Sequence, residues 1–189
     1  MDSFDFKRQS PKDLTSIQID GERISLRSID ESYSSEIFRE FDSEITRYML
    51  PGPAENIEET LSFISDSLDG MRAGHELVLA ITEKTDGEFL GCCGLHGRGN
   101  PKTPELGIWL KKEAHGNHYG KEAIESLTAW AVDNVDFDYV IYPVDKANIP
   151  SRKVPEALGG VIFEKKSVKT MRSEYLEEVV YRIPHEVLR

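Results

Sequence analysis

Residues 105–144 hold the pattern that most restricts how this chain can fold: a strand, a glycine-bearing loop, an amphipathic helix and a second strand. ELGIWLK, from Glu105 to Lys111, reads as a strand. Beyond the loop, Ala123, Ile124, Leu127, Ala131 and Val135 recur at helical spacing, so a helix is expected from about Asn117 to Asn134. Tyr139 to Val144 is a nearly continuous apolar run. It fits a strand covered on both faces and parallel to its predecessor, because a helix joins the two. The other strands are linked as hairpins. Asp86-Gly87 separates Leu77–Thr82 from Glu88–Leu95, Asp20-Gly21 interrupts Ile17–Arg27, and Val161–Val168 precedes Leu176–Ile183. The expected fold is α+β: a mixed, mostly antiparallel central sheet of about seven strands with helices on both faces. Its one parallel pair lies near the middle and splays where the crossover begins. Such a gap leaves main-chain groups free for an extended ligand.

Three helical segments precede the crossover. Asp30 caps a helix carrying Tyr33, Ile37, Phe38 and Phe41, and a short one follows near Ser43 to Met49. Asn56, with Glu59 three residues on, starts a helix lined by Ile57, Leu61, Ile64, Leu68 and Met71, and Gly74 closes it. A further helix is expected from about Ile149 to Leu158.

The loop between strand and helix, KKEAHGNHYGKE, has Gly116 and Gly120 flanking the turn and Lys121 after it. Backbone N–H groups gathered at the positive end of a helix dipole make an anion site suited to phosphate or pyrophosphate. It is not a P-loop. Only three residues separate the glycines, and Glu122 stands where a magnesium-binding hydroxyl belongs. The GxGxxG dinucleotide fingerprint is absent as well.

The net charge of −11, from 34 acidic and 23 basic residues, disfavours sequence-independent nucleic-acid binding and suits a cationic substrate such as a polyamine or a basic peptide N-terminus. No apolar run approaches the roughly 20 residues that span a bilayer. The opening MDSFDFKRQSPKDL lacks a signal-type apolar core. A flexible tail over residues 1–15, one domain over 16–189 and a cytoplasmic location are therefore expected. Cys92 and Cys93 are adjacent, so on a strand they face opposite ways, which argues against a mutual disulfide and against a metal site.

ELGIWL, the AHGNHYGKEA loop and helix, and NIPSRKVPEALGG about 30 residues on together resemble the GNAT N-acetyltransferases. The branch most similar is the ribosomal-protein N-terminal (Rim-type) group. The resemblance runs roughly from Ile19 to Ile183 and implies a single GNAT domain that uses acetyl-CoA as co-substrate and no metal. The family loop reads Gln or Arg, two residues, Gly, one residue, then Gly or Ala. His115, His118 and Gly120 occupy those positions, and only Gly120 matches. By this resemblance His115, Gly116, Asn117, His118, Tyr119, Gly120 and Lys121 cradle the pyrophosphate, with Lys121 or Arg152 reaching the phosphates. Backbone groups of Ile108, Trp109 and Leu110 polarise the acetyl carbonyl, and Asn148 holds the cofactor or the start of its helix.

Amide formation needs a base, a polarised carbonyl and a proton for the departing thiolate. Glu105, at the start of the strand beside the gap, is the expected base or ammonium holder. Ser151, in Asn148-x-x-Ser151, is the expected acid, since the helix lacks the Tyr that many family members carry there. His96 is the remaining histidine placed to edge the acceptor cleft. Cys92 and Cys93 form no activated nucleophile arrangement, so direct transfer without a covalent enzyme intermediate is expected. Pro155 falls inside the last expected helix, where proline typically costs about 3 kcal/mol, so that helix is expected to kink or begin late. Two functions remain open at this stage: transfer of acetyl to a primary amine, small or at a protein N-terminus, and a CoA-binding or partner-binding module that has lost transfer. A homodimer through Leu176–Ile183 as an edge strand is a further expectation.

Overall fold

The computed structural model describes residues 2–188. Its strands are β1 (Gln18–Asp20), β2 (Ile24–Ser28), β3 (Glu76–Glu83), β4 (Phe89–His96), β5 (Glu105–Leu110), β6 (Tyr139–Asp145), β7 (Val161–Lys169) and β8 (Tyr175–Pro184). The helices are α1 (Ser34–Glu40), α2 (Ile57–Ala73), α3 (Tyr119–Asn134) and α4 (Ile149–Ala157). All eight strands form one sheet in the order β1-β2-β3-β4-β5-β6-β8-β7. Every neighbouring pair is antiparallel except β5 and β6.

The parallel pair touches at one point. Glu105 registers with Ile141, and the Ile141 N–H donates to the Pro104 carbonyl at 2.9 Å. The ladder would continue through the N–H two residues further along β6. That residue is Pro143, which has no N–H to give. The strands therefore part just beyond Glu105. Backbone groups alternate sides along a strand, so the Pro104 contact turns those of Leu106, Ile108 and Leu110 into the gap. Those of Gly107 and Trp109 turn toward β4. For Trp109 this corrects the expectation: its backbone faces its ladder partner Cys92. Its ring packs on the rings of Phe41 (5.0 Å between centroids) and Phe89 (5.8 Å), on the same face of the sheet as Glu105.

α3 covers one face of the sheet through buried Ala123, Ile124, Leu127 and Ala131, against Leu26, Leu95 and Leu106 among others. α1 and α2 cover the other. Asn56 caps α2 by accepting from the Glu59 N–H at 3.1 Å, and Gly74 ends it in the left-handed conformation. The connection after α1 meets the β7–β8 hairpin. Arg172 donates to the Thr46 carbonyl at 3.0 Å, and the Met171 N–H donates to the Leu50 carbonyl at 3.0 Å. These contacts form a bridge over the face that carries Glu105.

Two expectations change. The segment read as a flexible tail is packed: Phe4 and Leu14 are buried, the Phe4 N–H bonds the Gly74 carbonyl, and Phe6 forms a bridge with Val135. Leu176–Ile183 is also not an edge, because β8 lies between β6 and β7 and pairs with both. The edge is β7, where Val161 and Phe163 are exposed.

α4 runs through Pro155 without ending early. The Gly160 N–H donates to the Pro155 carbonyl at 2.8 Å, and a Cβ on Gly160 would lie 2.7 Å from that oxygen. The glycine after Gly159 is thus fixed by close approach of the chain to the end of α4.

Candidate acyl-donor and amine site

The loop before α3 has the geometry of an anion cradle. Gly116 and His118 both hold left-handed backbones, with φ of 80° and 62°. His118 is the N-cap, and the first bond of the helix runs from the Glu122 N–H to its carbonyl at 3.2 Å. Among the described residues, none accepts a hydrogen bond from the N–H groups of Gly116, Asn117, His118, Tyr119, Gly120 or Lys121. These donors stand together at the positive end of a 16-residue helix. His118 thus departs from the glycine pattern in side chain while its backbone lies in the left-handed region that glycine favours. A non-glycine residue in that region costs roughly 1–2 kcal/mol. His118→Gly is therefore expected to raise the stability of the chain by about 0.5–1 kcal/mol in urea unfolding, after the greater freedom of glycine in the unfolded chain is subtracted.

The loop is held by a residue far away in sequence. Glu122 accepts from the Arg23 N–H (2.7 Å), the Ile24 N–H (3.3 Å) and Arg23 Nε (2.9 Å). Arg23 also donates to the Asn117 carbonyl at 3.0 Å, and its guanidinium lies 4.7 Å from the centre of the Tyr119 ring. The β1–β2 turn is therefore pinned to the cradle. Burial raises the Glu122 carboxyl, but the Arg23 and Ile24 hydrogen bonds and the Arg23 charge outweigh it and hold the group below its usual range. His115 turns its ring back on β5, with Nε2 3.0 Å from the Leu110 carbonyl. A Cβ on Gly120 would lie 3.5 Å from Leu110 and 3.6 Å from Ile108, ordinary contact that leaves room for a methyl and little more. Lys121 points outward beside Glu125 at 3.4 Å.

At the other lip of the gap, Asn148 caps α4 by accepting from the Ser151 N–H at 3.3 Å. Ser151 Oγ lies 2.9 Å from the Tyr142 hydroxyl. Tyr142 is buried on β6, and burial pushes its hydroxyl up to about 12 against the opposing pull of the Ser151 bond, so it keeps its proton at neutral pH. In sequence Tyr142 lies within YVIYPV and reads as one more core residue, so nothing local marks it as the partner of a helix serine. Arg152 donates to the Tyr181 hydroxyl at 3.0 Å and to the Lys146 carbonyl at 3.2 Å, so it braces α4 against β8.

Glu105 sits at the apex of the gap, registered with His96 on one side and Ile141 on the other. Asp145 and Glu178 are paired across β6 and β8 on the same face, and both are buried. Burial raises the Glu178 carboxyl, and the nearby charge of Glu105 adds to this against the pull of Lys166. Asp145 is occupied by the N–H groups of Ala147 (2.8 Å) and Glu177 (3.0 Å). Cys92 and Cys93 are fully buried thiols pushed well up by desolvation, so neither is an activated nucleophile.

The family model for the acetyltransferase (GNAT) domain matches residues 23–161. The chain is a member of the GNAT acetyltransferase family. Its fold is shared by many solved structures. One is a GNAT-family acetyltransferase from Bacillus anthracis, with 18% identity over 90% of this chain and 99% of that one and a TM-score of 0.77. Another is the microcin C7 self-immunity acetyltransferase MccE in complex with acetyl-CoA and AMP, with 19% identity, coverage of 91% and 98%, and a TM-score of 0.78. A third is RimL, the ribosomal L7/L12 α-N-protein acetyltransferase in complex with coenzyme A, with 15% identity, coverage of 89% and 98%, and a TM-score of 0.77. A search of curated proteins finds no match. No helix among the described residues is long and apolar enough to cross a membrane.

Proposed function

We propose that this chain is an acetyl-CoA-dependent N-acetyltransferase that acts on a primary amine and belongs near the Rim-type branch. One observation carries the reading: the unpaired N–H groups of Gly116 to Lys121 lie at one end of a gap whose β5 wall, at the Leu106 carbonyl and at Ile108, faces away from any strand partner. That suits a ligand with a pyrophosphate at one end and an extended amide-bearing arm behind it. Acetyl-CoA, when bound, would supply the acyl thioester that a primary amine attacks.

The chain's own groups then divide the work. The loop amides from Gly116 to Lys121, with Lys121 nearby, bind phosphate. Leu106 and Ile108 orient the arm through their backbones. Tyr142, protonated at neutral pH, donates to Ser151 Oγ and leaves the serine proton free to be given to sulfur. Glu105 holds the incoming ammonium at the apex, where Glu178 and Asp145 add to the negative potential. A cationic amine fits that surrounding and the net charge of −11. The bridge between the α1–α2 connection and the β7–β8 hairpin bounds the acceptor side.

The binding-module alternative rested on His118, Pro155 and the missing helix tyrosine. His118 adopts a left-handed backbone that leaves the loop N–H groups unpaired, α4 spans Pro155, and Tyr142 reaches Ser151 from β6. The test is release of coenzyme A thiol in a panel of spermidine, free amino acids, an amino sugar and short peptides with free N-termini. Turnover of any of these supports transfer and names the acceptor class. Tight acetyl-CoA binding with no thiol released across the panel favours the module.

A further inference from the structure

A buried pair on the acceptor face has no part in the scheme above. His96 is the last residue of β4, registered between Glu76 on β3 and Glu105 on β5. Its Nδ1 lies 3.1 Å from Glu76 Oε2, and both side chains are largely buried. The contact has the length of an ion pair but not the geometry of a good hydrogen bond, so among the described residues the buried Nδ1 has no hydrogen-bond partner. Burial raises the Glu76 carboxyl, but the close His96 contact and charge, with Arg98 and His75 behind them, bring it below its usual value. Glu76 is thus an anion placed to hold a protonated imidazole.

The other ring nitrogen lies over bare backbone. A Cβ on Gly94 would come within 2.6 Å of His96 Nε2, and one on Gly107 within 3.4 Å. Gly94 and Gly107 are cross-strand partners, next in line to the His96–Glu105 pair. They clear a recess in the sheet face beside the point where β5 and β6 part. The ring fills part of that recess with Nε2 foremost. The charged and titratable groups around the pair are Glu76 from β3, Glu105 from β5, His75 from the α2–β3 junction and Arg98 from the β4–β5 loop.

We propose that His96, oriented by Glu76, is the proton acceptor for the amine, with Glu105 confined to holding the ammonium. This rests on the acetyltransferase reading. Nε2 takes one proton from the bound ammonium and passes it to water, and the free amine's lone pair then bonds to the acetyl carbon as the carbon–sulfur bond breaks. Ser151 Oγ gives a proton to the sulfur displaced from that carbon. The nitrogen, now an amide, gives its second surplus proton to Nε2, the imidazolium returns it to water, and the half-buried Ser151 recovers its proton from solvent. An imidazole is the better matched base. A free glutamate titrates near ~4.3 and an α-ammonium near ~8, whereas imidazole lies near ~6.5, between them.

The test uses the full chain with acetyl-CoA, and spermidine and a serine-initiated tripeptide as probes. His96→Gln is expected to lower kcat about 100-fold with acetyl-CoA affinity unchanged in calorimetry. Glu76→Gln is expected to lower kcat about tenfold with acetyl-CoA affinity unchanged, because the ring loses the carboxylate that orients it, and Glu76→Asp should recover part of the loss. Without acetyl-CoA, His96→Gln should raise the titration of the Glu76 carboxyl carbon in NMR, since the largest of the interactions that oppose its burial is then lost. Full activity in His96→Gln, or a kcat unchanged by Glu76→Gln, would overturn the proposal. Loss of acetyl-CoA binding by the intact chain would overturn the acetyltransferase reading instead, so the two failures are distinct.

Discussion

Ser151→Ala lowers kcat by about 100-fold and leaves acetyl-CoA affinity within about twofold, the range expected when a positioned proton donor is removed. The hydroxyl sits in the first turn of α4, its N–H fixed by the Asn148 cap and its oxygen 2.9 Å from the Tyr142 hydroxyl. Burial pushes the Tyr142 hydroxyl up to about 12, so it keeps its proton and is available to donate to Ser151 across the working pH range. Tyr142→Phe leaves the serine in place but unpolarised, and a loss of about tenfold is expected. The double variant should lose little beyond Ser151→Ala, because the two act as one unit. Steady-state rates at saturating acetyl-CoA check all three. Additive losses would mean that the tyrosine acts on its own.

Glu122→Ala is expected to cost about 2–3 kcal/mol of stability, since one carboxylate serves two backbone N–H groups and a guanidinium. Urea unfolding measures it. The loss extends to the cradle, because Arg23 would no longer tie the β1–β2 turn to Asn117 and Tyr119. The interaction also has a pH signature. The folded carboxyl titrates below its usual value of 4.5, so its contribution is complete above that value and is lost as pH falls through the lower, folded one. In the wild type, stability should decline in acid partly for this reason, and in Glu122→Ala that part of the decline should vanish.

The crossover was legible because two periodicities meet there: alternation and apolar runs in β5 and β6, and 3.6-residue spacing in α3. The loop was legible because glycines cluster at a helix start. Other features depend on contacts that sequence order hides. Arg23 and Glu122 lie 99 residues apart, and nothing in either neighbourhood marks them as partners. The tail looked mobile because its composition is polar on average, yet three anchors, Phe4, Phe6 and Leu14, suffice to dock it. The edge was misplaced because β8 inserts between β6 and β7, so the last strand in sequence is interior in space. Pro143 did carry a readable signal. A proline on the gap side of β6 removes the donor the parallel ladder needs, and that local fact accounts for the splay.

The central claim is that the loop from Gly116 to Lys121 binds the pyrophosphate of acetyl-CoA. Calorimetric titration of acetyl-CoA into the intact chain and into Lys121→Glu tests it most directly. Lys121 is exposed, and a carboxylate in the first turn of α3 favours the helix itself, so the fold should persist. The same carboxylate would repel a phosphate at the cradle. The account predicts a dissociation constant on the order of micromolar for the intact chain, weakened about tenfold or more in the variant. No binding to the intact chain, or equal binding by both, would contradict it.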